Sequence, residues 1–180
     1  MSQQNFHPVG IPGQPWGEVE KARWLAMQRR RRSHADDVVA PVRALAGAWD
    51  VVEYGALDYA GEHFPLLALR SRGWDEALPV ALVTGGVHGY ETSGVLGALL
   101  FARDHAPDYA GRVNLLVVPC VSPWGYERIH RWNPEAVDPN RSFRQPSPAR
   151  ESAALMELVA PLRGRFLLHV DLHETTDSDE

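Results

Sequence analysis

Three groups of residues in this chain carry side chains suited to chemistry. The first is Gly85-Gly86-Val87-His88-Gly89-Tyr90-Glu91, directly after an apolar run that ends at Thr84. His88 and Glu91 stand three positions apart. Where a strand turns into a helix, that spacing can aim an imidazole and a carboxylate at one point. The surrounding glycines allow a sharp turn and a close backbone approach. The second group is His173, just past an apolar segment that ends at Leu172. Two imidazoles and one carboxylate make a His₂Glu set, which leaves a fourth position open for water. That is the pattern of a catalytic zinc site and not of a closed structural one. Zinc there would lower the pKa of the water to about 7 and polarise a carbonyl. The expectation is therefore one zinc ion per chain, held by His88, Glu91 and His173.

The third group lies in the segment Arg131-Trp132-Asn133-Pro134-Glu135-Ala136-Val137-Asp138-Pro139-Asn140-Arg141-Ser142-Phe143. A guanidinium fork matches a carboxylate through two parallel hydrogen bonds. Near a zinc hydroxide, one arginine could stabilise a developing oxyanion while another holds a substrate carboxylate.

These side chains need elements to position them. Pro79–Thr84 is a short apolar run ending at Gly85-Gly86, as a buried strand does. Glu91–Asp104 carries Val95, Leu96, Leu99 and Leu100 at helical spacing. Arg112–Cys120 reads as a strand, Glu151–Leu162 as a helix and Arg165–Leu172 as a last strand. Upstream, Trp49–Tyr54 and His63–Ser71 read as two strands around a turn at Ala60-Gly61. A helix is expected over Asp36–Ala46, capped by Asp36 or Ser33 and ended by Gly47. Trp16–Arg32 reads as a helix with a solvated face that includes four consecutive arginines, and residues 1–15, rich in Pro and Gly, as an extended arm. Ser122–Pro148 shows no clear periodicity over 27 residues, and so long a loop usually marks function. Strands alternating with helices imply an α/β fold: a mixed, largely parallel sheet flanked by helices. In such sheets ligands collect beyond the carboxyl ends of the strands, where the candidate residues sit. The chain divides into an N-terminal arm with helices (1–48) and an α/β domain (49–180).

Composition bounds the alternatives. With 180 residues, 44% hydrophobic and 23% charged, the chain can bury one real core. A net charge of −5 argues against a nucleic-acid partner, which needs a basic face. The single Cys120 excludes a disulfide framework and a cysteine-rich metal site. No apolar run reaches the ~18 residues that span a bilayer, and the N-terminus lacks the apolar stretch of a secretory signal. A cytoplasmic protein without a membrane partner is expected.

The motifs in this order resemble those of the zinc metallocarboxypeptidases: His88-x-x-Glu91, Arg131-x-Asn133, Asp138-x-Asn140-Arg141-x-Phe143, then a strand ending in His173. The related succinylglutamate desuccinylase and aspartoacylase enzymes share the scaffold and a similar motif set. The resemblance covers residues 49 to 175. It implies that His88, Glu91 and His173 are the zinc ligands, that Arg131 stabilises the oxyanion, and that Asn140 and Arg141 bind the substrate's terminal carboxylate. The implied activity is hydrolysis of a C-terminal peptide bond by a metal-activated water. One alternative is an amidohydrolase acting on N-acyl amino acids, and another is a truncated, non-catalytic zinc- or peptide-binding module.

Three positions depart from the family pattern. Pro139 replaces an apolar residue before Asn-Arg. Glu174-Thr175-Thr176 follows the third ligand in place of small or aromatic residues. The family's general-base glutamate and mobile tyrosine come from segments well after the third ligand, and this chain ends seven residues past His173. The expectation is that these residues form the N-terminal part of the family's fold, with the last strand left as an open edge. Glu174 is a poor substitute base, because consecutive residues on an extended segment point to opposite faces. Asp171 is a candidate to orient a ligand. His169 reads as a hydrogen-bonded core histidine and His130 as an exposed loop residue. Cys120 reads as small and buried, and Trp124, Tyr126 and Trp132 as packing for the long loop. Gly85-Gly86 with Gly89 lacks the spacing of a phosphate loop.

Overall fold

The computed structural model describes residues 9–59 and 61–174. Five strands form one mixed sheet in the order β1-β2-β4-β3-β5: β1 Trp49–Tyr59, β2 Glu62–Ser71, β3 Val80–Gly85, β4 Asn114–Val118 and β5 Phe166–Leu172. β1 and β2 pair antiparallel, as do β2 and β4, whereas β3 runs parallel to both β4 and β5. Every residue of β3 and β4 is buried, which is why both read as continuous apolar runs instead of alternating ones. The described residues also form five α-helices: α1 Glu18–Met27, α2 Ala40–Ala44, α3 Thr92–Leu100, α4 Pro123–Arg128 and α5 Arg150–Val159.

On one face Val42 of α2 and Val95 and Ala98 of α3 pack against Leu69, Ala81, Val83, Leu115 and Val117. On the other, Leu155 and Leu158 of α5 meet Val80, Leu82, Leu116 and Val118. In such sheets ligands collect beyond the carboxyl ends of the strands, and the turn after β3 and the residues after β5 lie there. Two glycines set the distances there. A Cβ on Gly94 of α3 would lie 2.2 Å from the carbonyl oxygen of Leu172, so only glycine lets α3 rest on the end of β5. A Cβ on Gly89 would lie 1.9 Å from the carbonyl carbon of Gly125, so the turn before α3 touches α4 backbone to backbone.

The structure also departs from the sequence-based expectations. The first helix stops at Met27, and the arginine run is extended. The N–H groups of Arg31 and Arg32 donate to the Glu127 carbonyl (2.7 and 3.2 Å), and Arg30 pairs with the Glu127 carboxylate (3.0 Å). Tertiary partners thus replace the helical ladder. Ser33 acts as a cap as expected: its Oγ accepts the Asp36 N–H (3.1 Å), and its own N–H donates to Asp37 (3.3 Å). β1 runs on to Tyr59, with a register shift between Glu53 and Gly55. The 122–148 segment contains α4, whose residues Pro123 to Glu127 are all buried and so show no polar face to betray a period. The expected arm over 1–15 is described from Val9 onward, and residues 1–8, residue 60 and residues 175–180 lie outside the described part. β5 is the outer strand, with Leu167 65%, Leu168 45% and Val170 42% exposed. No helix among the described residues is long and apolar enough to cross a membrane.

Candidate metal centre

β3 delivers the chain into the turn Gly86–Glu91, and β5 ends one residue before His173. Because β3 and β5 are parallel neighbours paired through Gly85 and Leu172, the two segments leave the sheet side by side. His88, Glu91 and His173 then offer ligand atoms that all lie within 4.8 Å of one another. His88 and Glu91 are buried; His173 is about one-third exposed at its side chain (34%).

The hydrogen bonds define which atoms converge. His88 Nδ1 lies 2.8 Å from Glu91 Oε1, and His173 Nδ1 lies 2.7 Å from Glu91 Oε2. Each ring's other nitrogen also meets a carboxylate: His88 Nε2 is 3.1 Å from Asp138 Oδ1, and His173 Nε2 is 2.7 Å from Asp171 Oδ2. A neutral imidazole has one N–H and one lone pair, so it satisfies only one of its two carboxylates. In the tautomer with the proton on Nε2, donated to Asp138 in one ring and to Asp171 in the other, both Nδ1 lone pairs face the Glu91 anion. Something positive must sit between them, either protons or a cation. This donor set fits a divalent metal, with each imidazole oriented by an outer carboxylate as metal-bound histidines are. Burial works against a charged His88, but its bonds to Asp138 and Glu91 prevail and raise its pKa. Burial likewise opposes ionisation of Asp138, yet His88 and Arg131 outweigh it and hold the carboxyl at about 2.

Arg131 reaches this centre through Asp138, with Nε donating to Asp138 Oδ2 at 3.0 Å, and its Nη1 donates to the Tyr90 hydroxyl at 3.3 Å. The loop that carries it is built around Asn133, which is fully buried. Asn133 Oδ1 accepts the N–H groups of Glu135 and Val137 (both 3.0 Å), and its Nδ2 donates to Glu151 at 3.3 Å. Tyr59 donates to the same buried Glu151 carboxylate at 3.0 Å. Asp138 accepts the Asn140 N–H at 2.8 Å, opening the short turn Pro139–Arg141. Asn140 therefore stands beside the centre. Arg141 is exposed and makes no ion pair among the described residues.

Other candidates fall into place. Glu174 accepts the Ser93 N–H at 3.0 Å and so caps the first turn of α3. His169 corrects the expectation of a core histidine: it is hydrogen-bonded to Thr84 (2.8 Å) but exposed on β5, because β5 is an outer strand. His130 is half-buried, not exposed, with its ring 4.9 Å from that of Trp24. Trp124, Tyr126 and Cys120 are buried. Asp138 and Tyr90 went unassigned in the sequence. Both lie inside quoted motifs, so their spacing was visible while their partners, 50 and 41 positions away, were not.

A family model described as Protein of unknown function (DUF2817) matches residues 67–165, more than half of the chain. The chain belongs to the DUF2817 family. A solved structure of a proposed metallopeptidase from Shewanella denitrificans is similar at 28% identity and a TM-score of 0.63, over 78% of this chain and 51% of that one. A proposed carboxypeptidase A from the same organism aligns with a TM-score of 0.65 at 19% identity, over 76% of this chain and 38% of that one. Carboxypeptidase A from Helicoverpa armigera aligns with a TM-score of 0.61 at 19% identity, over 82% and 46%. At that identity the last two establish a shared fold alone: a mixed five-stranded sheet with flanking helices, like that of a carboxypeptidase. The chain spans about half the length of the Shewanella metallopeptidase. No curated protein matches it.

Proposed function

We propose that this DUF2817 chain carries the metal centre of a zinc metallocarboxypeptidase, with the C-terminal residue of a peptide as its target. The observation that carries the reading is the convergence of His88 Nδ1, Glu91 and His173 Nδ1, each imidazole backed by its own aspartate. Two imidazoles and one carboxylate favour zinc over magnesium or calcium, which prefer all-oxygen shells. When bound, zinc would supply a Lewis acid and lower the pKa of a water it holds.

The chain's own residues do the rest. Asp138 and Asp171 keep both Nδ1 lone pairs directed at the centre. Arg131, always charged and anchored by Asp138, presents a fixed positive charge to the carbonyl oxygen that becomes an oxyanion. Asn140 and Arg141, on the turn that Asp138 opens, hold the substrate's terminal carboxylate. The exposure of Arg141 suits a residue that meets a ligand from solvent.

Metal analysis after purification without chelator should find about one zinc per chain, the stoichiometry of a three-ligand site. A folded protein that takes up no zinc from buffered solution refutes the proposal. N-blocked dipeptides set against N-acyl amino acids then test the substrate: turnover of the second set alone would assign the centre to amidohydrolase chemistry.

A further inference from the structure

Tyr90 stands between two ligand positions, yet it is not itself part of the ligand set. Its ring lies parallel to the His88 imidazole, at an angle of 3° with 5.9 Å between centroids. Its hydroxyl oxygen accepts a hydrogen bond from Arg131 Nη1 at 3.3 Å. Arg131 Nε donates to Asp138 Oδ2 at 3.0 Å, and Asp138 Oδ1 accepts from His88 Nε2 at 3.1 Å. These four contacts close a circuit: His88, Asp138, Arg131, Tyr90, and back to His88.

Two anchors on different nitrogens fix a planar guanidinium more fully than one. The Asp138 contact holds Nε, and a contact on Nη1 adds a constraint that it does not supply, because the long arginine side chain has several rotatable bonds. With Tyr90 on Nη1, the plane of the fork is set as well. The Tyr90 ring is in turn seated on His88, so the arginine is referenced to the ligand itself and not to a mobile surface. The backbone carrying Tyr90 is equally constrained, since Gly89 touches Gly125.

We propose that Tyr90 is the positioning residue that orients the Arg131 guanidinium toward the oxygen on which negative charge develops. This rests on the metallopeptidase reading only for its catalytic consequence, because the clamp itself is a property of the metal-free protein.

The test uses Tyr90→Phe, which keeps the ring on His88 and removes only the hydroxyl. In zinc-free protein, hydrogen exchange of the Arg131 Nη1 protons, followed by NMR, should accelerate about tenfold, the loss of one charge-assisted hydrogen bond. Unchanged exchange overturns the proposal. In zinc-loaded protein, methylphosphonate serves as a stable tetrahedral anion. Its affinity should fall about tenfold in Tyr90→Phe, and should not fall further when Tyr90→Phe is added to Arg131→Ala. An equal loss in both backgrounds would mean that Tyr90 meets the anion directly, and the positioning role would be wrong. Failure of the wild type to load zinc refutes the metal reading, while the exchange experiment still decides the clamp.

Discussion

Asp138 ties the centre together, and its removal is the most informative perturbation. The carboxylate accepts three hydrogen bonds: from His88 Nε2 (3.1 Å), Arg131 Nε (3.0 Å) and the Asn140 N–H (2.8 Å). Asp138→Asn keeps the volume and one acceptor oxygen but loses the charge. The retained oxygen takes the place of Oδ1, which meets both the Asn140 N–H and His88 Nε2, and this leaves an amide NH₂ in the place of Oδ2, facing Arg131 Nε–H, donor against donor. His88 Nε2–H keeps an acceptor, but a neutral amide oxygen in place of a carboxylate, so the tautomer that leaves Nδ1 free for the metal is held less firmly. Loss of such an orienting carboxylate costs about 10–100-fold in metal affinity, or about 1.4–2.8 kcal/mol. The lower half of that range is expected here, because the charge is lost while an acceptor oxygen remains for His88 Nε2. Competition with a chromophoric chelator at fixed pH measures the zinc dissociation constant, and thermal unfolding of the metal-free protein checks that the variant folds. Asp171→Asn is the internal comparison, expected to cost less because its partner His173 is part-exposed (34%). Zinc binding by folded Asp138→Asn within about twofold of wild type would refute the tautomer argument, since twofold lies far below that range.

Other outcomes are expected from the same geometry. His88→Ala and His173→Ala should abolish stoichiometric zinc binding, measured by metal analysis after dialysis; retention of a full equivalent by either would place the metal elsewhere. In the active enzyme, Arg131→Ala should retain zinc and lose mainly kcat at similar KM, because charge on the oxyanion exists only in the transition state. Gly89→Ala would drive a methyl to 1.9 Å from the Gly125 backbone, so the variant should lose at least about 2 kcal/mol in denaturant unfolding or fail to fold. His34 is buried, and desolvation, partly opposed by the Asp37 charge, lowers its pKa to about 4 against 6.5 unfolded. Between those values the unfolded chain binds the extra proton. Stability from this residue is therefore intact above pH 6.5 and falls by up to about 3 kcal/mol as the pH drops to 4. Urea unfolding across that window should show a smaller slope for His34→Gln.

The sequence by itself determined which chemically capable groups the chain carries. His88, Glu91 and His173 were legible as a candidate ligand set because metal coordination demands particular side-chain types, and because β3 and β5 announce themselves as apolar runs ending near those residues. The sheet's central strands were legible for the same reason: burial on both faces removes polar residues. Only the tertiary structure decided the partners that tune that chemistry. Asp138 and Tyr90 act across 50 and 41 positions, through contacts that exist once β3, α4 and the 131–141 loop are packed together. α4 and the extended arginine run were hidden likewise, since one is buried all round and the other is held by Glu127 and not by its own neighbours. Local sequence records which groups are present and their periodicity; it does not record long-range hydrogen bonds, and in this site those bonds join His88 to Asp138 and Arg131 to Tyr90.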